Sequence, residues 1–221
     1  MIYKLNIRPI LTKFIELPLA KVMNRCGLRA NHITVISLAL CIFSSYLVIS
    51  QNLVAGGLVF FFGSCLDLFD GTLSRLTNTS SDFGSLLDSV CDRIGEAVLL
   101  SAIILLPLLV NPTMTLMDVN YKSIISFQDQ INILLIPLGL IALISSQLVS
   151  YVRSKGENLG IHMEGGLMSR AERVILLSIG LVTGLLSLAI TLMALLSTIT
   201  LLQRIYRLSR EIRTVVNNGS K

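Results

Sequence analysis

Long apolar runs separated by short polar links make up most of this chain. Four of them cover residues 33–50, 53–76, 83–110 and 132–152. Because a transmembrane helix needs about 20 predominantly apolar residues, each of these runs predicts one membrane span. A fifth run, residues 174–203, is uncharged over 30 residues. As one straight helix it would measure about 45 Å, longer than the hydrocarbon core of about 30 Å, so the pattern is compatible with one overlong span or with a helical hairpin.

The composition agrees with a membrane protein. Hydrophobic residues make up 53% of the chain and charged residues 14%. Soluble globular proteins carry about 25% charged residues, and disordered chains combine low hydrophobicity with high charge, so both classes are excluded. The net charge of +5 does not indicate nucleic-acid binding, because the positive residues border the apolar runs and only 6% of residues are aromatic. The positive-inside rule explains these charges better.

The positive charges favour six spans over five. If residues 174–203 form a hairpin, every Lys and Arg except Lys122 falls on one face of the membrane. The sequence therefore predicts an all-α integral membrane protein with six transmembrane helices and both termini in the cytoplasm. Residues 1–29 predict an amphipathic helix on the cytoplasmic surface, with a merely basic flank as the alternative. Residues 30–213 form the predicted six-helix domain, and residues 214–221 form a C-terminal tail.

Four carboxylates lie where the second and third apolar runs meet their polar link. Asp67 and Asp70 end one run, and Asp88 and Asp92 begin the next. Their spacing places each pair on one face of its helix, and consecutive antiparallel helices bring the two pairs together. Four clustered anions repel one another and need counter-charge, which hard divalent cations supply economically. Two such ions suit attack on a phosphate or pyrophosphate. The alternatives are a salt-bridged helix hairpin without catalysis and an ion- or proton-coupled transporter.

The sequence around these carboxylates carries a family resemblance. It reads Asp67-Leu-Phe-Asp70-Gly71-Thr-Leu-Ser74-Arg75, then eight residues, Gly84, three residues, Asp88, three residues and Asp92. This resembles the CDP-alcohol phosphotransferase signature D-x2-D-G-x2-A-R-x8-G-x3-D-x3-D, with one departure at Ser74, where the family has Ala. The resemblance implies six transmembrane helices and a metal-dependent enzyme of phospholipid synthesis. In such an enzyme the hydroxyl of a second alcohol displaces CMP from a CDP-linked lipid.

The resemblance also implies roles for individual residues. The expected ligands of two Mg²⁺ ions, with Mn²⁺ as the alternative metal, are Asp67, Asp70, Asp88 and Asp92. Asp92 is in addition the expected general base on the attacking hydroxyl. Upstream, Asn31-His32-Ile33-Thr34 resembles the family's P-N-x-x-T segment, although it could simply cap the first span. The expected CDP-lipid contacts are Asn31, Thr34, Gly71, Arg75, Ser81 and Gly84.

Two later segments resemble the branch that makes phosphatidylinositol phosphate or its archaeal ether-lipid equivalent. They are residues 150–160 and 165–173, supported by Thr200-Leu-Leu-Gln-Arg204. The resemblance implies that Arg153, Arg173 and Arg204 bind the phosphate of inositol 1-phosphate, with glycerol 3-phosphate as the alternative acceptor. Each arginine could instead be a cytoplasmic anchor beside anionic lipids. Arg173 and Arg204 can share one pocket only if residues 174–203 form a hairpin. The expected partners are a CDP-linked lipid, a phosphorylated polyol, membrane lipids of a prokaryotic cell membrane and a second copy of the chain.

Overall fold

The computed structural model describes residues 29–77, 81–110, 134–161 and 166–219, together with Pro18. Within these ranges the chain forms six helices and no strand. The helices are α1 (Ala30–Ile49), α2 (Leu53–Leu76), α3 (Asp82–Val110), α4 (Leu135–Asn158), α5 (Arg170–Thr183) and α6 (Leu186–Gly219). The predicted amphipathic helix over residues 1–29 lies outside the described residues apart from Pro18 and Arg29, so it stays a prediction.

Five of the helices in the described ranges are long and apolar enough to cross a membrane. They are α1, α2 as far as Ser74, α3, α4 and α6 as far as Thr214. The exception, α5, has 14 residues and measures about 21 Å, which is less than the hydrocarbon core of about 30 Å. The predicted all-α membrane architecture is therefore confirmed, whereas a sixth crossing stays a prediction.

The apolar run over residues 174–203 folds as a hairpin. Its first helix, α5, begins with a capping box, in which the Ser169 N–H donates to a Glu172 carboxylate oxygen at 2.5 Å. The helix ends at Thr183, and the following Gly184 has a φ of 79°, in the left-handed region that glycine adopts without strain. The chain then reverses into α6 at Leu186. The hairpin alternative from the sequence is confirmed.

The two ends of this hairpin meet on the same side of the molecule. The Met168 N–H, just before α5, donates to Thr200 Oγ1 of α6 at 3.1 Å. Arg173, in the first turn of α5, and Arg204, one turn beyond Thr200, consequently lie at the same end of the bundle. This is the geometric condition on which a shared arginine pocket depends.

The helices pack through small and apolar side chains. Helix α1 lies against α2 and α3, α5 lies against α2 and α6, and α4 lies against α3 and α6. Between α1 and α2, Ser37 Oγ donates to Gly63 O and Ser44 Oγ donates to Gly56 O, both at 2.8 Å. Small residues that let backbones approach, together with interhelical hydrogen bonds, are typical of helix packing in membranes.

Polar side chains from all six described helices meet at one end of the bundle. Thr34 of α1 contacts Asp70 of α2, which lies beside Asp88 of α3. The last turns of α4, the first turn of α5 and Arg204 of α6 line a cavity that also contains Asp88. The fold thus collects side chains from every described helix around the carboxylates.

Candidate active site

Three of the four carboxylates singled out in the sequence form a close cluster. Asp67 and Asp70 lie one turn apart near the end of α2, and Asp88 lies in the second turn of α3. One carboxylate oxygen from each lies within 4.8 Å of the other two. Ligand oxygens of a hard divalent cation stand about 2.0–2.6 Å from the ion, so this spacing suits one cation held by all three residues.

Asp70 is buried and its orientation is fixed by α1. Its Oδ2 accepts a hydrogen bond from Thr34 Oγ1 at 2.6 Å. The Thr34 hydroxyl also contacts Ala30 O at 3.2 Å, so it lies between its own helix backbone and the carboxylate. Thr34 was predicted to contact the CDP-linked lipid. In the structure it is also the hydrogen-bond partner of a candidate metal ligand. Such outer-shell partners orient ligands and tune the bound metal.

A cavity of about 210 Å³ opens beside this cluster between the start of α1, the end of α2 and the start of α3. We call it the α1–α3 cavity. Its lining includes Asn31, Thr34, Asp70, Gly71, Ser81, Gly84 and Asp88. Five of the six residues predicted to contact the CDP-lipid therefore line one cavity. The side chain of the sixth, Arg75, lies outside the described residues.

Gly84 forms part of the wall of the α1–α3 cavity. Its N–H donates to Ser81 Oγ at 3.1 Å. A Cβ at this position would stand 3.2 Å from Ser81 Oγ and 3.4 Å from Asn31 Oδ1. The absence of a side chain at Gly84 therefore keeps these two polar groups uncrowded.

A second cavity, of about 310 Å³, lies on the other side of the carboxylates between α3, α4, α5 and α6. We call it the arginine cavity. Its cationic lining residues are Arg93, Arg153, Arg170, Arg173 and Arg204, and its acidic ones are Asp88, Asp92, Glu96 and Glu157. All three arginines predicted to bind the acceptor phosphate line it. Asp88 lines both cavities, so the aspartate cluster lies between them.

Arg173 is held by a carboxylate that the sequence reading missed. The arginine is 1% exposed and Glu96 is 5% exposed. Arg173 Nε donates to Glu96 Oε1 at 2.6 Å and Nη2 donates to Glu96 Oε2 at 3.0 Å, which is a bidentate pair. Nη2 also lies 3.3 Å from Ser150 Oγ. The spacing of Asp88, Asp92 and Glu96 along α3 could have predicted this position, because residues four apart share a helix face.

The other two predicted arginines have different environments. Arg204 is buried, and its Nη1 donates to Val149 O of α4 at 2.8 Å. Arg153 is mostly exposed, and its Nε donates to Glu157 Oε1 of the same helix at 2.8 Å. The structure brings the three arginines to one cavity, and each contacts the protein itself there. Their assignment to an acceptor phosphate stays a prediction.

A further arginine, Arg170, lies among the four carboxylates that were predicted to cluster. It is the first residue of α5, and its Nη1 donates to Asp67 Oδ2 at 2.6 Å. Its Nη2 contacts Asp92 Oδ1. Asp92 is thereby paired with a cation, and its carboxyl group also contacts that of Asp67. It lies outside the group formed by Asp67, Asp70 and Asp88, whose oxygens all lie within 4.8 Å of one another. Of the four expected metal ligands, three form this close group, and the fourth, Asp92, contacts both Asp67 and Arg170.

Sequence comparison identifies relatives along nearly the whole chain. The profile of the CDP-alcohol phosphatidyltransferase family matches residues 28–206. The chain is 30% identical over 208 residues to the archaetidylinositol phosphate synthase of Pyrococcus horikoshii, covering 94% of this chain and 97% of that protein. It is also 30% identical over 165 residues to the phosphatidylinositol phosphate synthase of Corynebacterium glutamicum, covering 74% and 67% of the two chains.

Solved structures with the same fold come from the phosphatidylinositol phosphate synthase of Mycobacterium tuberculosis. The crystal structure with CDP-DAG bound matches with a TM-score of 0.70 at 25% identity, covering 88% of this chain and 93% of that one. The complex of that protein with manganese and citrate matches with a TM-score of 0.71 at 25% identity, covering 88% of each chain. The signature residues, the fold and the family match agree: the chain belongs to the CDP-alcohol phosphatidyltransferase family.

Proposed function

We propose that this enzyme transfers a phosphatidyl or ether-lipid phosphate group from a CDP-linked lipid to inositol 1-phosphate and releases CMP. The observation that carries the proposal of a phosphorylated acceptor is the arginine cavity, which adjoins the aspartate cluster and contains five arginines against four carboxylates. An acceptor that is itself a phosphate monoester needs such cations, and arginine forks bind phosphate well. The names of the relatives point to the same acceptor. Family membership removes the transporter alternative.

The α1–α3 cavity takes the CDP part of the donor in this proposal. Asn31 and Ser81 offer an amide and a hydroxyl to the nucleotide, and Gly71 and Gly84 let it approach the backbone. Arg75, which belongs to the matched signature, pairs with the pyrophosphate. The donor phosphates then point at the aspartate cluster, where Asp70 and Asp88 line the same cavity.

Asp67, Asp70 and Asp88, with Asp92 as the candidate fourth ligand, hold the divalent cations, which are two Mg²⁺ or Mn²⁺ ions per site. When bound, the metal neutralises the pyrophosphate and stabilises the charge that develops on the departing CMP. Thr34 keeps Asp70 turned towards the cluster through its hydrogen bond. The close spacing of the three carboxylate oxygens supports this ligand set.

The chemical step joins the contents of the two cavities. The free hydroxyl of inositol 1-phosphate attacks the lipid-side phosphorus, the new phosphorus–oxygen bond forms and the bond to CMP breaks. Asp92 is the catalytic residue that accepts the hydroxyl proton, because it lines the arginine cavity beside Asp88. Arg153 gives up Glu157 for the acceptor phosphate, since an exposed ion pair of this kind contributes only about 0–1 kcal/mol. Arg173 and Arg204 complete the phosphate pocket.

For the membrane arrangement we propose six crossings, in which α5 is the crossing additional to the five long helices. The active site and both termini lie in the cytoplasm. The protein forms a homodimer in a prokaryotic cell membrane. The α5–α6 hairpin and the gathering of positive side chains at the active-site end support the topology. A C-terminal reporter that is active only in the cytoplasm tests it, and light scattering of the detergent-solubilised protein tests the dimer. Residues 30–213 remain the proposed catalytic domain.

The test of the reaction is CMP release by the purified protein with Mg²⁺ and CDP-diacylglycerol. Inositol 1-phosphate and glycerol 3-phosphate are supplied in parallel, and an ether-linked CDP donor is run beside the ester. Asp92→Asn is compared with Asp82→Asn, a matched change at an exposed residue of the same helix. CMP release with inositol 1-phosphate that is lost only in Asp92→Asn supports the proposal. Release only with glycerol 3-phosphate would refute the acceptor, and no release with any donor and acceptor would refute the reaction.

A further inference from the structure

Arg170 contacts two carboxylates that have other proposed roles, one as a metal ligand and the other as the general base. Its guanidinium lies between α2 and α3, with Nη1 2.6 Å from Asp67 Oδ2 and Nη2 on Asp92 Oδ1. Asp67 belongs to the close cluster that suits a divalent cation. Asp92 is the proposed base. One arginine side chain therefore engages a candidate metal ligand and the candidate proton acceptor at the same time.

The two carboxylates that Arg170 contacts are poorly exposed to water, which strengthens their interaction with the guanidinium. The side chains of Asp67 and Asp92 are 6% and 19% exposed, so water screens their charges only weakly. Asp70 and Asp88 add further negative charge next to Asp67. Without a cation among them these carboxylates repel one another, and among the described side chains Arg170 touches two of them.

The first turn of α5 positions the Arg170 guanidinium beside these carboxylates. Arg170 and Arg173 are three residues apart, so they share a helix face. Arg173 is locked onto Glu96 of α3 in a buried bidentate pair, which fixes the position of the helix start. Arg170 is more exposed than Arg173: its side chain is 32% exposed and borders the arginine cavity of about 310 Å³.

We propose that Arg170 is the internal counter-cation of the aspartate site. It holds Asp67 and Asp92 when no divalent cation is bound, and it competes with that cation for their oxygens. Arg170 thereby sets the metal concentration at which the site loads and keeps Asp92 paired until then. It is a positioning residue, and the inference rests on the proposed metal site but not on the proposed acceptor.

The experiment measures Mn²⁺ binding to the purified, chelator-stripped protein from the electron paramagnetic resonance signal of free Mn²⁺. No substrate is present, so the readout is independent of activity. Arg170→Gln is compared with Arg210→Gln, a matched change at an exposed residue of α6. Removing a competing charge at this distance is expected to tighten the Mn²⁺ Kd about tenfold in Arg170→Gln, with no change in Arg210→Gln. The metal-free protein should also melt at a lower temperature in Arg170→Gln.

Arg170→Lys keeps the charge but cannot fork across two carboxylates, and it serves if the Gln variant does not fold. Its Mn²⁺ Kd should tighten about threefold, because a single ammonium engages one carboxylate better than two. An unchanged or weaker Mn²⁺ affinity in the folded Arg170 variants would overturn the inference. An Asp70→Asn variant distinguishes a failure of the Arg170 inference from a failure of the proposed metal site. If Asp70→Asn binds Mn²⁺ as well as the wild type does, the proposed metal site itself is wrong, and the Arg170 inference falls with it.

Discussion

The two cavities that flank the aspartate cluster are built in opposite ways. The α1–α3 cavity is formed by helices that follow one another directly, and small neutral side chains make up most of its lining. The arginine cavity is formed by four helices and lined mainly by charged side chains. In the first, the local sequence motif almost defines the surface. In the second, the surface depends on ion pairs such as Arg170 with Asp67, whose partners are 103 residues apart.

This contrast fits the proposal that each cavity binds a different substrate. A site that must admit a nucleotide close to the backbone needs small residues and open space. A site for a soluble phosphate monoester needs cations, and cations inside a membrane protein need protein carboxylates to hold them while the ligand is absent. Glu96, Glu157 and Asp92 are such carboxylates, each paired with an arginine of the cavity.

The largest effect is expected at the residues between the two cavities. Asp70→Asn removes one charge from the cluster and should lower CMP release about a thousandfold, since metal binding supplies several kcal/mol of transition-state stabilisation. The measurement is the initial rate at saturating Mg²⁺, with Asp82→Asn as the control. A loss of less than about tenfold, the factor that about 1.4 kcal/mol represents, would contradict a role of Asp70 in holding the metal.

The next largest effect concerns the stability of the arginine cavity. Glu96→Gln leaves Arg173 buried without its carboxylate, which should cost about 3–5 kcal/mol of folding free energy. Thermal melting of the detergent-solubilised protein is the measurement, and Glu211→Gln on the exposed part of α6 is the control. The double variant Glu96→Gln/Arg173→Gln should recover part of the lost stability. If the double variant melts below the single variant, Glu96 does not serve mainly to neutralise Arg173.

A moderate effect is expected at the rim of the arginine cavity. Arg153→Gln removes the most exposed of the three predicted acceptor arginines and should raise the KM for inositol 1-phosphate about tenfold, the value of one hydrogen bond to a charged group. The stability should hardly change, because only an exposed pair with Glu157 is lost. Acceptor titrations beside Arg210→Gln measure the effect, and an unchanged KM would remove Arg153 from the acceptor site.

The smallest effect is expected in the α1–α3 cavity. Gly84→Ala places a methyl group 3.2 Å from Ser81 Oγ and 3.4 Å from Asn31 Oδ1, a crowding that small shifts of these side chains can relieve. The KM for the CDP-linked lipid should rise about threefold, below 1 kcal/mol. The KM for the acceptor is the internal control. A larger rise in the acceptor KM than in the donor KM would argue against this cavity as the donor site.

The parts of the site that the sequence predicted are those whose residues are close in the chain. The signature from Asp67 to Asp92 spans two consecutive helices, so helix periodicity and antiparallel packing suffice to bring Asp67, Asp70 and Asp88 together. The hairpin over residues 174–203 followed from its length and from the distribution of charges. The hairpin is confirmed, and three of the four carboxylates that were predicted to converge form one close group.

The parts that the sequence did not predict depend on contacts between distant helices. Glu96 as the partner of Arg173 and Arg170 as the partner of Asp67 and Asp92 require the docking of α5 against α2 and α3. Helix periodicity could flag Glu96 as lying on the active face of α3, but it could not choose its partner. Asp92 contacts Asp67, but the guanidinium that also pairs with it comes from α5, which the spacing within α2 and α3 could not indicate.

The most direct test of the division between the two cavities is a crossed kinetic comparison of Gly84→Ala and Arg153→Gln. Donor and acceptor KM values are measured for both variants and the wild type by CMP release. The expected result is a crossover, in which Gly84→Ala raises the KM only for the CDP-linked lipid and Arg153→Gln raises the KM only for inositol 1-phosphate. If either variant shifts both KM values equally, or if the two effects are exchanged, the two cavities do not bind the two substrates separately.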